Sequence, residues 1–288
     1  MGALEGKVAV ITGGTRGLGL AIARAYLREG AAVVAASRSA EAVTATVAQL
    51  QTPTARIAGI ACDVGDLAQV QALKAYALAT FGGLDIWINN AGIAGPYGAT
   101  AHIAPDMFTA VLQTNIVGTY NGSWAAMQHF LPRHQGKLIN ILGAGARRPM
   151  PMQNAYTSSK GWMKNFTLTL AQEYRESGVG VYTFNPGMMI TDLLTRIEAV
   201  AGYENRLKSF DAVIRMFGKP PEIPAEKVVW LGSHATDGKT GLLVEQSTVF
   251  SLLGGVLKEL WRRLRGHPAP PLDLNIHTIP AALVEAPA

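Results

Sequence analysis

The chain is predicted to fold as a doubly wound parallel α/β sheet with helices on both faces, continued by a C-terminal helical extension. Three observations predict this. Short β-rich runs alternate with helical patterns from the N-terminus onward. The runs are apolar at successive positions, as strands covered on both faces require. The segments between them are long enough for the crossovers that parallel neighbours need, and right-handed crossovers give a doubly wound sheet.

KVAVITG is the first strand, and a helical GLAIARAYLREG follows it. AAVVAASR is the second, followed by the helical AEAVTATVAQLQ. RIAGIACDV leads to a helix near 66–81, and LDIWINNAG to a helix near 105–131. KLINILG, a helix near 154–177 and VGVYTFNPG continue the rhythm. Residues 192–225 break it and end in GKPPEIP, which suits a substrate-covering lid better than sheet. TGLLVEQ, at 240–246, is a last strand and closes a Rossmann-type domain over 1–246.

Over 247–265, Phe250, Leu253, Leu257, Leu260, Trp261 and Leu264 fall on one helical stripe, with Lys258, Arg262, Arg263 and Arg265 largely off it. Such a helix either lies in a membrane interface, a peripheral contact, or packs its stripe on the lid or on a sister subunit. Residues 266–288 are Pro- and Ala-rich and are expected to be flexible or draped on a partner.

Composition narrows the classes. Apolar residues make up 49% of the 288, enough to bury a core, and charged residues 16%. No apolar run of about 18 residues and no secretory leader is present, so the protein is expected in the cytoplasm. The single cysteine, Cys62, excludes an internal disulfide framework and is expected to be a buried strand thiol. The six histidines lack zinc spacing, so no metal centre is expected. The net charge of +5 suits an anionic cofactor, nucleic acid or an anionic surface. The basic residues are scattered and carry no nucleic-acid motif, so no nucleic-acid partner is expected.

Ligands of such sheets bind where strands end and helices begin. After the first strand comes TGGTRGLG, whose turn from Gly13 through Thr15, Arg16, Gly17 and Leu18 to Gly19 would let backbone N–H groups reach a pyrophosphate. The second strand ends in Ser37-Arg38 rather than in the carboxylate that grips a ribose 2′-hydroxyl. Arg16 and Arg38 therefore match a 2′-phosphate and NADP(H), unless both are simply solvated surface charges. At the third strand's end Asp63, beside Val64, could accept a hydrogen bond from an adenine amino group or cap a helix starting near Gly65. Asn89, Asn90, Ala91 and Gly92 end the fourth strand, their small members leaving room for a flat ring or ribose.

The sharpest feature is Tyr156-Thr157-Ser158-Ser159-Lys160 on a helical segment. Four-residue spacing puts phenol and ammonium on one helix face, directed into one cleft. A free phenol titrates near pH ~10, and a neighbouring ammonium together with a positive nicotinamide ring is expected to lower that value. The pair is then a proton device, although the same spacing also arises in ordinary surface pairs.

TGGTRGLG, NNAG, Asn115, the Tyr-xxx-Lys pair and NPGMMIT at 185–191 occur in the order and spacing of the short-chain dehydrogenase/reductase family, which the chain strongly resembles from about Gly6 to Glu245. The resemblance implies that Tyr156 exchanges a proton with the substrate oxygen. Lys160 would hold the nicotinamide ribose and tune Tyr156, and Asn115 would anchor a proton-relaying water. Pro186, Gly187 and Thr191 would line the nicotinamide and its phosphate. The resemblance also implies a homo-oligomer and a small-molecule substrate. By itself, Asn115 could equally be a helix residue satisfied by a local carbonyl.

The family usually carries a serine thirteen residues before the tyrosine, and here that position is Gly143. Losing one such donor can cost about 3 kcal/mol of transition-state stabilisation. Backbone N–H groups of the turn at Gly143, Ala144 and Gly145, or the amide of Asn154, are the candidate replacements, and the glycine is expected to open space for a bulky substrate. Gly-Ala-Gly here, with PGMMITDLL and MFGKPPEIPAEKV, resembles the chlorophyll b reductase branch of the family. The expected function is NADPH-dependent reduction of an aldehyde or ketone on a large, mostly apolar molecule. The alternative is a nucleotide-binding sensor or assembly protein of the same fold with little catalysis.

Overall fold

The computed structural model describes residues 2–246, 259, 261, 262, 264, 265, 267 and 272–282. The strands are β1 (Val8–Thr12), β2 (Ala32–Ser37), β3 (Ile57–Ala61), β4 (Ile86–Asn89), β5 (Lys137–Ile141), β6 (Gly180–Asn185), β7 (Arg196–Val200), β8 (Leu242–Glu245) and β9 (Asn275–Ile279). Seven form one parallel sheet in the order β3-β2-β1-β4-β5-β6-β8, while β7 and β9 pair separately. The helices are α1 (Gly17–Arg28), α2 (Ala40–Leu50), α3 (Leu67–Phe81), α4 (Pro105–Leu112), α5 (Gly118–Phe130), α6 (Asn154–Glu173), α7 (Asp192–Thr195), α8 (Phe210–Phe217) and α9 (Glu222–Gly232).

Strand alternation divides the core between the two faces of the sheet. Ala9 and Ile11 of β1, with Val33 and Ala35 of β2, pack with Ile22 and Tyr26 of α1 and Val228 of α9. Val10 and Val34 point the other way, toward Val70 and Leu73 of α3 and Ala125 and Phe130 of α5. The Tyr26 hydroxyl donates to the Val228 carbonyl at 2.9 Å, tying α1 to α9. Strand order reverses between β1 and β4, which opens a crevice at their C-terminal ends.

Two helix starts follow ordinary capping chemistry. Ser39 Oγ accepts from the Ala42 N–H at 3.1 Å, and Asp66 Oδ1 from the Ala68 N–H at 2.8 Å. Asp66, not Asp63, is therefore the cap of α3; Asp63 Oδ1 instead accepts from the Gly65 N–H in the preceding turn. The helix expected over 105–131 is divided: a π-turn, Gln113–Val117, joins α4 to α5.

The C-terminal region departs from expectation. The stretch read as lid rather than sheet contains β7, and the Pro- and Ala-rich tail supplies its parallel partner β9, with Arg196 opposite Asn275 and Val200 opposite Ile279. Residues 275–279 of the tail thus pair with this chain's own β7. The Tyr97 N–H donates to the Glu198 carbonyl, and the Val200 N–H to the Tyr97 carbonyl, at 2.8 and 2.9 Å. Val200 and Ile279 are buried with Ile103 against Met107, Phe108 and Tyr203. Burial of this small apolar cluster is what sequence periodicity could not reveal, because its members come from three distant segments.

Phe250, Leu253, Leu257 and Leu260 of the apolar stripe, with Lys258 and Arg263 beside it, lie outside the described residues. Of the rest, Trp261 and Leu264 are helical and 51% and 87% exposed. Among the described residues, no helix is long and apolar enough to cross a membrane, and no cluster of metal-ligating side chains occurs.

Candidate active site

A cleft at the strand-order reversal is lined by the glycine turn, the ends of β2 to β5, and the start of α7. Gly13 has φ +64°, and a Cβ there would stand 2.9 Å from Ala91 Cα, so the turn can approach the β4 end only without a side chain. A Cβ on Gly19 would overlap the Gly13 carbonyl, so α1 packs close under the turn. No side chain caps α1, which leaves its N-terminal N–H groups to the cleft. Thr12 fixes the opposite wall: its Oγ1 accepts from the N–H groups of both Asn90 and Ala91, each at 3.1 Å.

Tyr156 and Lys160 project from one face of α6 into this cleft. Lys160 Nζ lies 5.7 Å from the phenol ring centroid and donates to the Ile141 carbonyl at 3.0 Å. Burial pushes the Tyr156 hydroxyl up to about 12 and brings the Lys160 ammonium down to about 8. The ammonium by itself does not lower the phenol, whose shift is set by desolvation.

Asn115 sits in the π-turn, fully buried. Its Oδ1 accepts from the Ile93 N–H at 2.9 Å, and its Nδ2 donates to the Ile93 carbonyl and to Ser159 Oγ, both at 3.0 Å. The amide thereby ties the wall after Gly92 to the residue preceding Lys160. The Thr119 hydroxyl donates to the Asn115 backbone carbonyl at 2.7 Å.

Of the residues singled out from sequence, Gly13, Thr15, Arg16, Gly17, Leu18, Ser37, Arg38, Val64, Ala91, Gly92, Tyr156, Lys160 and Thr191 line the cleft. Gly19, Asp63, Asn89, Asn115, Pro186 and Gly187 do not. Asn89 turns into the core: its Oδ1 accepts from Trp87 Nε1 at 2.8 Å, and its Nδ2 donates to Thr119, Ser123 and Asn140. Asn90 takes its place at the cleft, with Nδ2 donating to the Thr12 and Gly13 carbonyls. The Gly187 N–H is held by Asn185 Oδ1 at 3.1 Å.

The replacements considered for the missing serine are also placed. Asn154 is exposed, bonds Thr100 and Ser158, and lines a different cavity on the outer side of α6 together with Gly145. Ala144 is exposed. Gly143 is buried, and a Cβ there would collide with Tyr156 Oη. The space that glycine leaves is filled by the phenol hydroxyl, not kept open for substrate.

Sequence reasoning missed Cys62, Ile93, Thr114, Ile141, Leu142, Met189, Asp192 and Leu193 as lining residues. Most are apolar and carry no chemical signature, but Asp192 follows Thr191 directly and could have been found by that position. Its carboxylate lies 3.7 Å from Arg16 and 3.6 Å from Arg196. Burial pushes the Cys62 thiol up to about 12, so it is inert wall.

Fold and cleft together define a nucleotide-binding α/β oxidoreductase, with a phenol and an amine at the site of chemistry. Residues 7–201 match the family model described as short chain dehydrogenase. The chain is 34% identical over 242 residues to 3beta-hydroxysteroid dehydrogenase 1 of Eggerthella lenta, covering 83% of this chain and 91% of that protein. It is 36% identical over 206 residues to "Probable chlorophyll(ide) b reductase NYC1, chloroplastic" of Oryza sativa, which covers 64% of this chain but only 40% of that longer protein. The crystal structure of a 3-ketoacyl-(acyl-carrier-protein) reductase from Brucella melitensis, complexed with NADH, superposes with a TM-score of 0.76 at 29% identity, covering 86% and 99% of the two chains. The chain belongs to the short chain dehydrogenase family, oxidoreductases that act on hydroxyl and carbonyl groups with a nicotinamide nucleotide.

Proposed function

We propose that the protein is an NADPH-dependent reductase of an aldehyde or ketone carried on a bulky, mostly apolar substrate. The observation that carries this reading is the placement of Tyr156 and Lys160 in the cleft floored by the glycine turn. The cradle fits a dinucleotide, since its floor is backbone where Gly13 and Gly19 exclude any side chain. Gly13 to Gly19 and the uncapped end of α1 would hold the pyrophosphate, Lys160 the ribose beside the reacting ring, and Thr191 the phosphate near it. When bound, NADPH supplies the hydride that the carbonyl carbon gains.

The phenol holds its proton at neutral pH and can give it to the alkoxide oxygen as that charge develops. Lys160, lowered to about 8, is poised to return a proton to the phenolate. Asn115 holds the helix carrying both groups against the cleft wall, and a proton-relaying water would be anchored beside it. Ser37, Arg16 and Arg38 favour the 2′-phosphate. Arg38 is exposed and has no ion-pair partner among the described residues, whereas Arg16 keeps Asp192 on one nitrogen and has the rest of its guanidinium to offer the phosphate. Ile93, Leu142, Met189 and Leu193 give the remaining wall its apolar character. A formyl group on a chlorophyll-type molecule belongs to this substrate class, and similarity to the rice protein supports it.

The missing hydroxyl at Gly143 favours one rival: a nucleotide-binding sensor with little turnover. NADPH oxidation with a panel of bulky aldehydes and ketones separates the two. Turnover that Tyr156→Phe abolishes is expected; tight NADPH binding with no turnover by any member supports the rival. Binding should favour NADPH over NADH, with Arg38→Ala erasing most of the gap, and equal affinities in the unmodified protein would defeat the NADPH assignment.

We also propose a homo-oligomer formed through α5 and α6. Tyr120 is 47% exposed and meets Phe166 edge-on at 6.4 Å, while Trp162 stacks on Phe166 at 4.7 Å, making an aromatic surface across both helices.

A further inference from the structure

A second cavity, of about 490 Å³, adjoins the nucleotide cleft and shares Arg16, Ile93, Asp192 and Leu193 with it. Its outer side is made by β7 and β9, which contribute Arg196, Ile197, Glu198, Asn275 and His277. Parallel register sets Arg196 opposite Asn275 and Glu198 opposite His277, so these four side chains share one face of the strand pair. Val200 and Ile279, on the same face further along, are buried and anchor the pair. The Ala201 N–H donates to the Ile279 carbonyl, and the Ala282 N–H to the His102 carbonyl, each at 2.9 Å, so β9 is tied down beyond its own ladder.

We infer that β9 is the fixed outer wall of a substrate vestibule, and that Asn275 and His277 select substrates carrying a neutral hydrogen-bonding group far from the reacting carbonyl. This rests on reading the adjoining cleft as that of a carbonyl reductase. The chemistry of the lining chooses the ligand class. The two guanidiniums, Arg16 and Arg196, are balanced by two carboxylates, Asp192 and Glu198, with Asp192 between both arginines. A charged substituent would meet its like as closely as its opposite. A hydroxyl or carboxamide can instead bond to the Asn275 amide, which offers donors and an acceptor without net charge, and to the ring nitrogens of His277. Ile93, Ala94, Leu193 and Ile197 provide the apolar surface for the body of such a molecule.

The test compares the affinities of paired apolar carbonyl compounds, identical except for a hydroxyl at the end remote from the carbonyl. Calorimetry on the full chain loaded with oxidised nucleotide reads binding without turnover. The hydroxylated member is expected to bind about five- to tenfold more tightly, the range of one or two modest hydrogen bonds. In Asn275→Leu/His277→Leu the two members should bind alike, with retained nucleotide binding reporting an intact fold. Equal affinities in the unmodified chain, or a preference that survives the double substitution, overturns the inference. If the unmodified chain reduces no carbonyl compound, the proposed function falls while the affinity ratio still decides this one.

Discussion

Gly143 stands where the family's serine would, yet the structure gives the glycine a positive role. Any Cβ at 143 would intrude on Tyr156 Oη, so the phenol keeps its place only because the side chain is absent. Gly143→Ser, which restores the familiar hydroxyl, is therefore expected to lower kcat. Displacing a reacting group by about 1 Å can cost on the order of 100-fold. Steady-state kinetics on any accepted carbonyl compound decide it, and an unchanged or raised kcat would show that the phenol tolerates the intrusion. Tyr156 and Lys160 were legible in the sequence because both sit on one helix, where spacing alone fixes their common direction. Gly143 was only half legible, since what fills a missing side chain's space comes from a different segment. Asn89 and Asn90 show the same limit at closer range: neighbours in a strand point to opposite sides, and at a strand's end the sequence does not say which side is the cleft.

The central strands and helices were legible as alternating apolar runs and amphipathic patterns, because each meets its packing partners through a periodic face. Two elements escaped this logic. The π-turn at Gln113–Val117 lies inside a continuous helical pattern and differs from its flanks by backbone hydrogen-bond register, which residue periodicity does not encode. It matters functionally because it carries the Asn115 amide that spans Ile93 and Ser159. Strand β9 is five residues in a Pro- and Ala-rich context, and its parallel partner is remote in sequence. Ile279 is the anchor of that pairing, 9% exposed in the small cluster with Val200 and Ile103. Ile279→Ser is expected to loosen the β7–β9 pair by about 1–3 kcal/mol, leaving the main sheet intact. Hydrogen exchange would show it as faster exchange at Tyr97, Val200 and Ala201, with core amides such as those of β1 unchanged. Equal protection in both proteins would mean that the strand pair is held mainly by its backbone ladder.

At the scale of the molecule, the doubly wound topology and the position of its crevice followed from the order of elements, whereas assembly had no comparable signal. The aromatic surface on α5 and α6 became visible only once Tyr120, Trp162 and Phe166 were brought side by side. Tyr120→Glu/Trp162→Glu places two charges on that surface and is expected to shift the protein to monomers in sedimentation measurements. An unchanged sedimentation coefficient would overturn the assignment of a subunit contact to this surface.

The pairing of β7 with β9 also sets an order of events during synthesis. Arg196 leaves the ribosome about 80 residues ahead of Asn275, a delay of roughly 4 to 16 s at ordinary elongation rates. Six strands of the main sheet precede Arg196 and the seventh, β8, is translated within that interval, so the growing chain can assemble its nucleotide cradle while the neighbouring chamber still stands open on one side. A nascent protein at that stage is equipped to hold its coenzyme before it can discriminate among the molecules offered to it.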